Sequence, residues 1–389
     1  MFNKLKTVLA DFFKQADLML LGLCSVSTLL GILLIFSATR FQESNRFVVV
    51  QLMALLLGIC VYIAMSMMDL EVLMKKWKWV AIFNFAFIGL LLTPFGVSDN
   101  TGNTAWLKFP LIPVSIGPAE VVKISFTLLL AKQLEWLRVE KRDLHSFPAA
   151  VVVAGHTLGL MGFYVLVSGD MGNALVFFFI FLCMAFVAGF ALRWFALLLG
   201  GAGVGLAGAL MLDLIPGYMK SRFIVVFDHS YDPLGKGWQQ TRSLLAIGSG
   251  GLFGQGYMNG TQTQSDYSTN LPARHTDLIF SVVGEELGLV GCTVVILLLL
   301  AIVIRVFLVA KRAQTPFHKY VCIGIAAMLM FQTIINVGMC LFVMPVIGIT
   351  LPFFSYGGSS IVTLYMAMGV VSGIKKRSPK IRRAGGQPY

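Results

Sequence analysis

The sequence predicts an all-α integral membrane protein of about ten transmembrane helices, with both termini cytoplasmic and a large extracellular loop between the seventh and eighth spans. Three observations carry this reading. The 389 residues are 57% hydrophobic and only 12% charged, whereas a soluble domain carries roughly 25% charged residues. The apolar residues gather in long uninterrupted runs, and mean hydropathy is +0.83. Lys and Arg then fall mostly on one side once those runs are taken as spans. The same composition excludes disorder, a collagen-like fibre and a disulfide-stapled secreted module, since 39 Gly and 13 Pro are neither periodic nor dominant.

The first run, 18–38, follows Lys4, Lys6 and Lys14. It is longer than the roughly 7–15 apolar residues of a signal peptide, so it is expected to stay as a helix. Further runs follow at 47–67, 79–96, 117–135, 148–168, 171–191, 194–214, 279–304, 320–342 and 354–374. Each is near the ~20 residues that cross a hydrocarbon core of about 30 Å. Counted from an inner N terminus, the inner side collects Lys4, Lys6, Lys14, Lys75, Lys76, Lys78, Lys132, Arg138, Lys141, Arg142, Arg193, Arg305, Lys311, Arg312 and Lys319, with six more in the tail from Lys375 to Arg383. The outer side keeps only Arg40, Arg46, Lys108, Lys220, Arg222, Lys236, Arg242 and Arg274. The excess of 30 basic over 18 acidic residues therefore reports topology and contact with anionic inner-leaflet lipid, and no nucleic acid is needed to explain it. The whole chain, 1–389, reads as a single polytopic membrane domain.

Cys24, Cys60, Cys183, Cys292, Cys322 and Cys340 lie in or beside apolar runs, with no C-x-x-C pair and no His at ligand spacing. They read as small hydrophobes rather than as a metal site or a disulfide framework.

Two outer segments are too long for simple turns, and loops of that size usually carry function. In 97–116, Trp106 and Phe109 suit either a headgroup-level aromatic belt or a functional loop. In 215–278, Gln240 to Ile247 shows an apolar helical stripe suited to lying flat at the interface, followed by the glycine-rich Gly248 to Gly256. No strand precedes these glycines and no Gly-Lys-Ser/Thr follows, so a nucleotide loop is a poor reading. Flexible turns, or backbone amides approaching a phosphate, remain open. Arg242 and Arg274 are candidate diphosphate partners or plain solvated charges.

Ionisable residues in or at the mouth of spans are functional candidates by default. Glu120 and Lys123, spaced i, i+3, can neutralise each other on one helix face. They make either a buried packing pair or a pair that orients a catalytic group. Asp170 stands in a short turn where a carboxylate suits a helix N terminus. Asp277, in Arg274-His275-Thr276-Asp277-Leu278, sits where the long loop re-enters the membrane. Partial desolvation there raises a carboxylate's basicity toward what a general base needs, while Arg274 opposes it. His275 is the alternative base. Gln332 and Asn336, one turn apart in the ninth span, suit hydrogen bonds to neighbouring helices or a substrate contact. Pro352, Phe353, Ser355, Tyr356, Gly357 and Gly358 open the last span, and small residues there suit close packing or a groove for a lipid tail.

The strings TAWLKFP with GPAEVVKI, SGDMGNALV, QQTRSLLAIGSGGLFGQGY, LPARHTDLIFSVVGEELGLVG and NVGMCLFVMPVIGITLPFFSYGGSS, in that order, resemble the SEDS family of bacterial cell-wall polymerases (FtsW/RodA/SpoVE). The likeness covers nearly the whole chain. Overall length and short termini look more like the RodA branch, which serves elongation, than the FtsW branch, which serves division. The resemblance implies a peptidoglycan glycosyltransferase that polymerises lipid II on the outer face of the bacterial cytoplasmic (inner) membrane. It implies partners among class B penicillin-binding protein transpeptidases and elongasome membrane proteins. It places the catalytic aspartate on Asp277, a membrane-embedded Glu and Lys on Glu120 and Lys123, and a loop tryptophan on Trp106. Two departures stand out. Gly117-Pro118-Ala119-Glu120 replaces the usual Gln-Pro-Ser-Glu, and Ser168-Gly169-Asp170 stands where Gln-Pro-Asp is common.

Joining two sugars requires the acceptor 4-hydroxyl to lose its proton as it attacks the donor anomeric carbon, while undecaprenyl diphosphate leaves from the opposite face. The diphosphate needs cationic stabilisation more than protonation, which arginine or a divalent cation such as Mg or Mn would supply. An FtsW-type division or sporulation polymerase, a lipid II flippase and a scaffold for a transpeptidase are the alternatives. A flippase would call for discontinuous helices with charge at the membrane midplane.

Overall fold

The computed structural model describes residues 16–40, 45–98, 103–110, 115–141, 144–213, 217–229, 231, 237–265 and 271–377. Each expected span coincides with a helix. In chain order the helices are α1 (Leu18–Thr39), α2 (Arg46–Met67), a short α3 (Leu70–Met74), α4 (Trp77–Gly89), α5 (Pro118–Val139), α6 (Phe147–Ser168) and α7 (Met171–Ala188). They continue with α8 (Leu192–Met211), α9 (Gly217–Phe227), α10 (Trp238–Gly250), α11 (Ile279–Arg312), α12 (Pro316–Cys340) and α13 (Gly358–Arg377). Seven of these, α1, α2, α6, α7, α8, α11 and α12, are long and apolar enough to cross a membrane on composition alone. α5 and α13 fall short because they carry polar and charged side chains. That is tolerated because most of their surface is covered by other helices rather than by lipid.

Several boundaries move for local reasons. The third span stops early: α4 passes into a 3-10 turn at Leu90–Leu92, just before Pro94. A two-stranded antiparallel hairpin follows, β1 (Gly96–Ser98) with β2 (Thr104–Leu107), pairing Val97 with Trp106. The outer segment expected at 97–116 is thus partly a hairpin. The last helix starts at Gly358 rather than 354, because residues 345–357 run as an irregular loop into the bundle. α11 is broken inside: Gly288 has φ 64° and ψ −161°.

α1 begins and α13 ends at the same end of the bundle. There the fully buried Asp17 caps α1 and accepts from Arg305 Nε (2.8 Å) and Nη2 (3.0 Å), with Lys375 Nζ at 3.1 Å. Three helices are therefore fastened by one carboxylate. The termini expected on the cytoplasmic side, residues 1–15 and 378–389, lie outside the described residues, as does Lys236. α8 touches the bundle at its start, through Trp194, Phe195 and Leu198, yet none of its described residues is buried.

α10 docks through a face other than its apolar stripe. Its buried face is small and polar, made of Gln240, Ser243, Ala246 and Gly250, and it packs on α11 while Leu244 and Leu245 are exposed. The apolar stripe is the outer side of a helix docked onto the core.

Candidate active site

Asp277 lies in the turn leading into α11 and is half-buried. The backbone around it is held by three successive carbonyls. The His275 carbonyl accepts from Tyr356 N (2.8 Å), that of Thr276 from Ser355 Oγ (2.6 Å) and that of Asp277 from Asn336 Nδ2 (2.8 Å). Ser355 and Gly357 are in turn gripped by the buried Gln51 of α2, whose amide donates to Ser355 O and accepts from Gly357 N. A Cβ placed on Gly348, at φ 72°, would lie 4.0 Å from Asp277 Oδ2, so the 345–357 loop passes beside the carboxylate.

The same loop reaches a second polar cluster. Ile347 O packs so closely on Gly172 that a Cβ there would overlap it. One residue on, Asn173 joins two helices. Lys123 Nζ, fully buried, donates to Glu120 Oε1 (2.7 Å) and Asn173 Oδ1 (3.1 Å). Asn173 Nδ2 donates to Asp170 Oδ2 (2.7 Å), which also accepts from Tyr164 Oη (2.9 Å). Asp170 caps α7 through Asn173 N at 3.2 Å, the role its position suggested. Glu120, Lys123 and Asp170 thus belong to one chain of polar groups, and a buried charge is tolerable when paired and hydrogen-bonded in this way. Trp106 packs against Gly117 beside the Glu120 side chain: a Cβ at Gly117 would meet the indole at 3.3 Å and Glu120 Cγ at 3.4 Å. Gly117, the N-cap residue of α5, has no side chain to cap the helix, and its N–H donates to Ser359 Oγ (3.2 Å).

The two arginines separate. Arg274, 2% exposed, donates to the carbonyls of Gln262, Thr263 and Ser265. It braces the loop from inside, so its geometry favours that role over the diphosphate one. Arg242 stacks its guanidinium 4.0 Å from the Trp238 ring centroid, and its Nε has no hydrogen-bond partner among the described residues. Of the two, it is the arginine with donor capacity to spare.

The glycine-rich stretch has a different use from phosphate binding. The break at Gly288 frees helical N–H and C=O groups, and in a membrane protein such groups must find partners. Leu289 N and Val290 N donate to the carbonyls of Gly251 and Leu252, while Gln255 N and Gly256 N donate to the carbonyls of Glu285 and Glu286. The loop returns what the helix loses. This needs glycine, since a Cβ on Gly250 would overlap Gly284 O and one on Gly254 would overlap Glu286 O. Gly250→Ala is expected to undock α10 and lower the thermal midpoint by several degrees, read by size-exclusion chromatography of heated samples. Glu285, fully buried, accepts four hydrogen bonds from Thr261, Gln262 and Thr263. Glu286 accepts from Ser37 Oγ (2.6 Å) and Gln264 Nε2 (2.9 Å).

His275 packs with Phe47 (centroids 4.9 Å) and Tyr356 (5.8 Å). Burial, aided by Arg274, holds its pKa below the usual 6.5. Burial thus favours its neutral form in the folded protein. The unfolded chain binds this proton more readily, so the site should lose stability as pH falls below about 6.5 and lose no more once the depressed folded pKa is passed. His275→Gln should flatten that part of a thermal midpoint against pH series.

Phe353 and Phe354 are fully buried, with Phe354 on Gly31 of α1, and Pro352 is buried too. Ser355, Tyr356 and Gly357 make the contacts to the Asp277 turn described above. For Pro352 to Gly358, these contacts favour close packing over a lipid groove. A cavity of about 620 Å³ does exist elsewhere, between α4, α5 and α6, lined by Trp77, Lys132, Gln133, Trp136 and His156, at the far end of α5 from Glu120. Among the described residues no three His, Cys, Asp or Glu side chains gather to hold a metal.

Asn173, Tyr164 and Gln51 were not legible as site residues. Each sits singly in an apolar run. The only sequence signal was the i, i+3 spacing of Asp170 and Asn173.

This arrangement, a multi-pass helical bundle with a fixed aspartate at the mouth of a broken helix, defines a class of membrane protein with a matching family. Residues 12–380 match the family model described as cell cycle protein, FtsW/RodA/SpoVE. The chain belongs to that family. It is 31% identical over 374 residues to stage V sporulation protein E of Bacillus subtilis, covering 93% of this chain and 97% of that protein. It is 34% identical over 280 residues to the peptidoglycan glycosyltransferase MrdB of Escherichia coli, covering 70% of this chain and 71% of MrdB. A mutant of the rod shape determining protein RodA from Thermus thermophilus superposes with TM-score 0.69 at 28% identity, covering 94% of this chain and 99% of that one. A chain from a peptidoglycan synthase complex that coordinates polymerization and crosslinking superposes with TM-score 0.75 at 28% identity, covering 92% and 97%.

Proposed function

We propose that this chain is a peptidoglycan glycosyltransferase that polymerises lipid II into glycan strands, with Asp277 as the general base. The observation that carries the catalytic part is the three-carbonyl hold on residues 275–277, which fixes the backbone that carries the Asp277 carboxylate at the mouth of α11. Asp277 takes the proton of the acceptor 4-hydroxyl, the new bond forms at the donor anomeric carbon, and the bond to undecaprenyl diphosphate breaks with inversion. Glu120, Lys123, Asp170 and Trp106 support or position the substrate, and Arg242 is the candidate for the diphosphate. A divalent cation would add charge stabilisation there. The active site would face outside the cytoplasmic membrane, and a class B transpeptidase would be the natural partner, as the likeness to a synthase-complex chain supports. Elongation is the role favoured, with division or sporulation as the alternative within the family.

One observation favours a transport reading. The break at Gly288 with buried Glu285 and Glu286 is what a lipid flippase would use. Yet both carboxylates are occupied by the docked loop and by Ser37 rather than facing an open path. The test is reconstitution with lipid II and a transpeptidase, with and without Mg or Mn. Glycan strands on gels support the enzyme. Translocation of labelled lipid without polymerisation supports the flippase.

A further inference from the structure

We propose that Asn336 is a positioning residue for Asp277, an inference that rests on Asp277 being the base. Asn336 is fully buried inside α12. Its Nδ2 carries two hydrogens, and both are used on carbonyls from different segments, Asp277 O and Ile349 O, each at 2.8 Å. The amide therefore staples the entrance of α11 to the loop that passes beside the Asp277 carboxylate at Gly348. One turn further along α12, Cys340 Sγ reaches the same Asp277 carbonyl at 3.8 Å.

Packing alone does not account for an asparagine here. Its Oδ1 is buried with no hydrogen-bond partner among the described residues, and a buried unpaired acceptor costs stability. An apolar residue of similar volume would avoid that cost, but it would release both carbonyls. What the amide supplies is orientation. The carboxylate of Asp277 is carried on two rotatable bonds from its own backbone, so fixing that backbone fixes the arc on which the proton acceptor lies. Proton transfer in a near-attack arrangement is sensitive to shifts of about 1 Å.

The test uses the full-length protein with lipid II and its transpeptidase, with rates referred to folded protein. Asn336→Ala should lower kcat roughly 100-fold while KM for lipid II stays within about threefold. In an Asp277→Asn background the same change should add nothing, because the residue acts through the carboxylate that is already gone. Ile334→Ala, on the same helix at 52% exposure, should keep wild-type kcat. An Asn336→Ala enzyme with near-normal kcat overturns the proposal, as does a loss that persists undiminished beside Asp277→Asn. Activity retained by Asp277→Asn alone removes the base itself, and so strikes the functional reading first. Should Asn336→Ala fail to fold, Ser355→Ala cuts the neighbouring bond to Thr276 O. The same non-additivity is then expected, and full additivity overturns the idea.

Discussion

Asp277→Asn is expected to cut glycan-strand synthesis by on the order of 10² to 10⁴, the range that a positioned general base contributes. The amide keeps the size of the carboxylate but cannot accept the sugar proton. The carbonyls of residues 275–277 keep their donors, since those bonds are made by the backbone and not by the substituted group. The variant should therefore fold, elute as wild type and still bind lipid II. Synthesis within a few-fold of wild type would sink the assignment. Lost synthesis together with lost folding would not count for it. With Asp277→Glu, one methylene longer, partial activity is expected, because the charge is retained but displaced.

Lys123→Met should be the most destabilising single change in the second cluster. Lys123 is fully buried and holds Glu120 at 2.7 Å and Asn173 at 3.1 Å. Removing the cation leaves Glu120 without its counter-charge, and breaking a buried pair in this way costs about 3–5 kcal/mol. Asn173 also loses a donor, which loosens the contact between α5 and α7. The measurement is the thermal midpoint in detergent. Glu120→Gln combined with Lys123→Met should recover part of the loss, since the stranded charge is then gone. If the double variant is no more stable than Lys123→Met alone, the pair is not the source of the effect.

These predictions show how far the residues could be read in advance. Helices such as α1, α7 and α12 are plain in the sequence because lipid demands unbroken apolar runs. α5 and α13 are harder, because helices enclosed by protein can carry Lys123 or Ser359, Ser360 and Thr363. The break at Gly288 was hidden, since one glycine in an apolar run is common in membrane helices. For its partner, the glycine-rich stretch at 248–256, flexible turns and phosphate-facing amides were both open, and in the fold amides and carbonyls of 251–256 serve the broken helix. Asp277, the proposed base, stands out in the sequence by its position at a re-entry point. Asn173 and Tyr164 were not, because a single polar residue in a span gives no hint of which helix it will meet. Arg274 could be read as a diphosphate partner or as a solvated loop charge, and in the fold it is tucked inside its own loop instead.

The exchange of backbone bonds across Gly288 has a consequence for anyone who would build chimaeras from this family. Residues 250–256 and 285–290 complete each other's main-chain bonding, so neither is a transplantable part. A graft of the outer loop from a relative should succeed only when the matching turns of α11 travel with it, and the two should melt together as one unit.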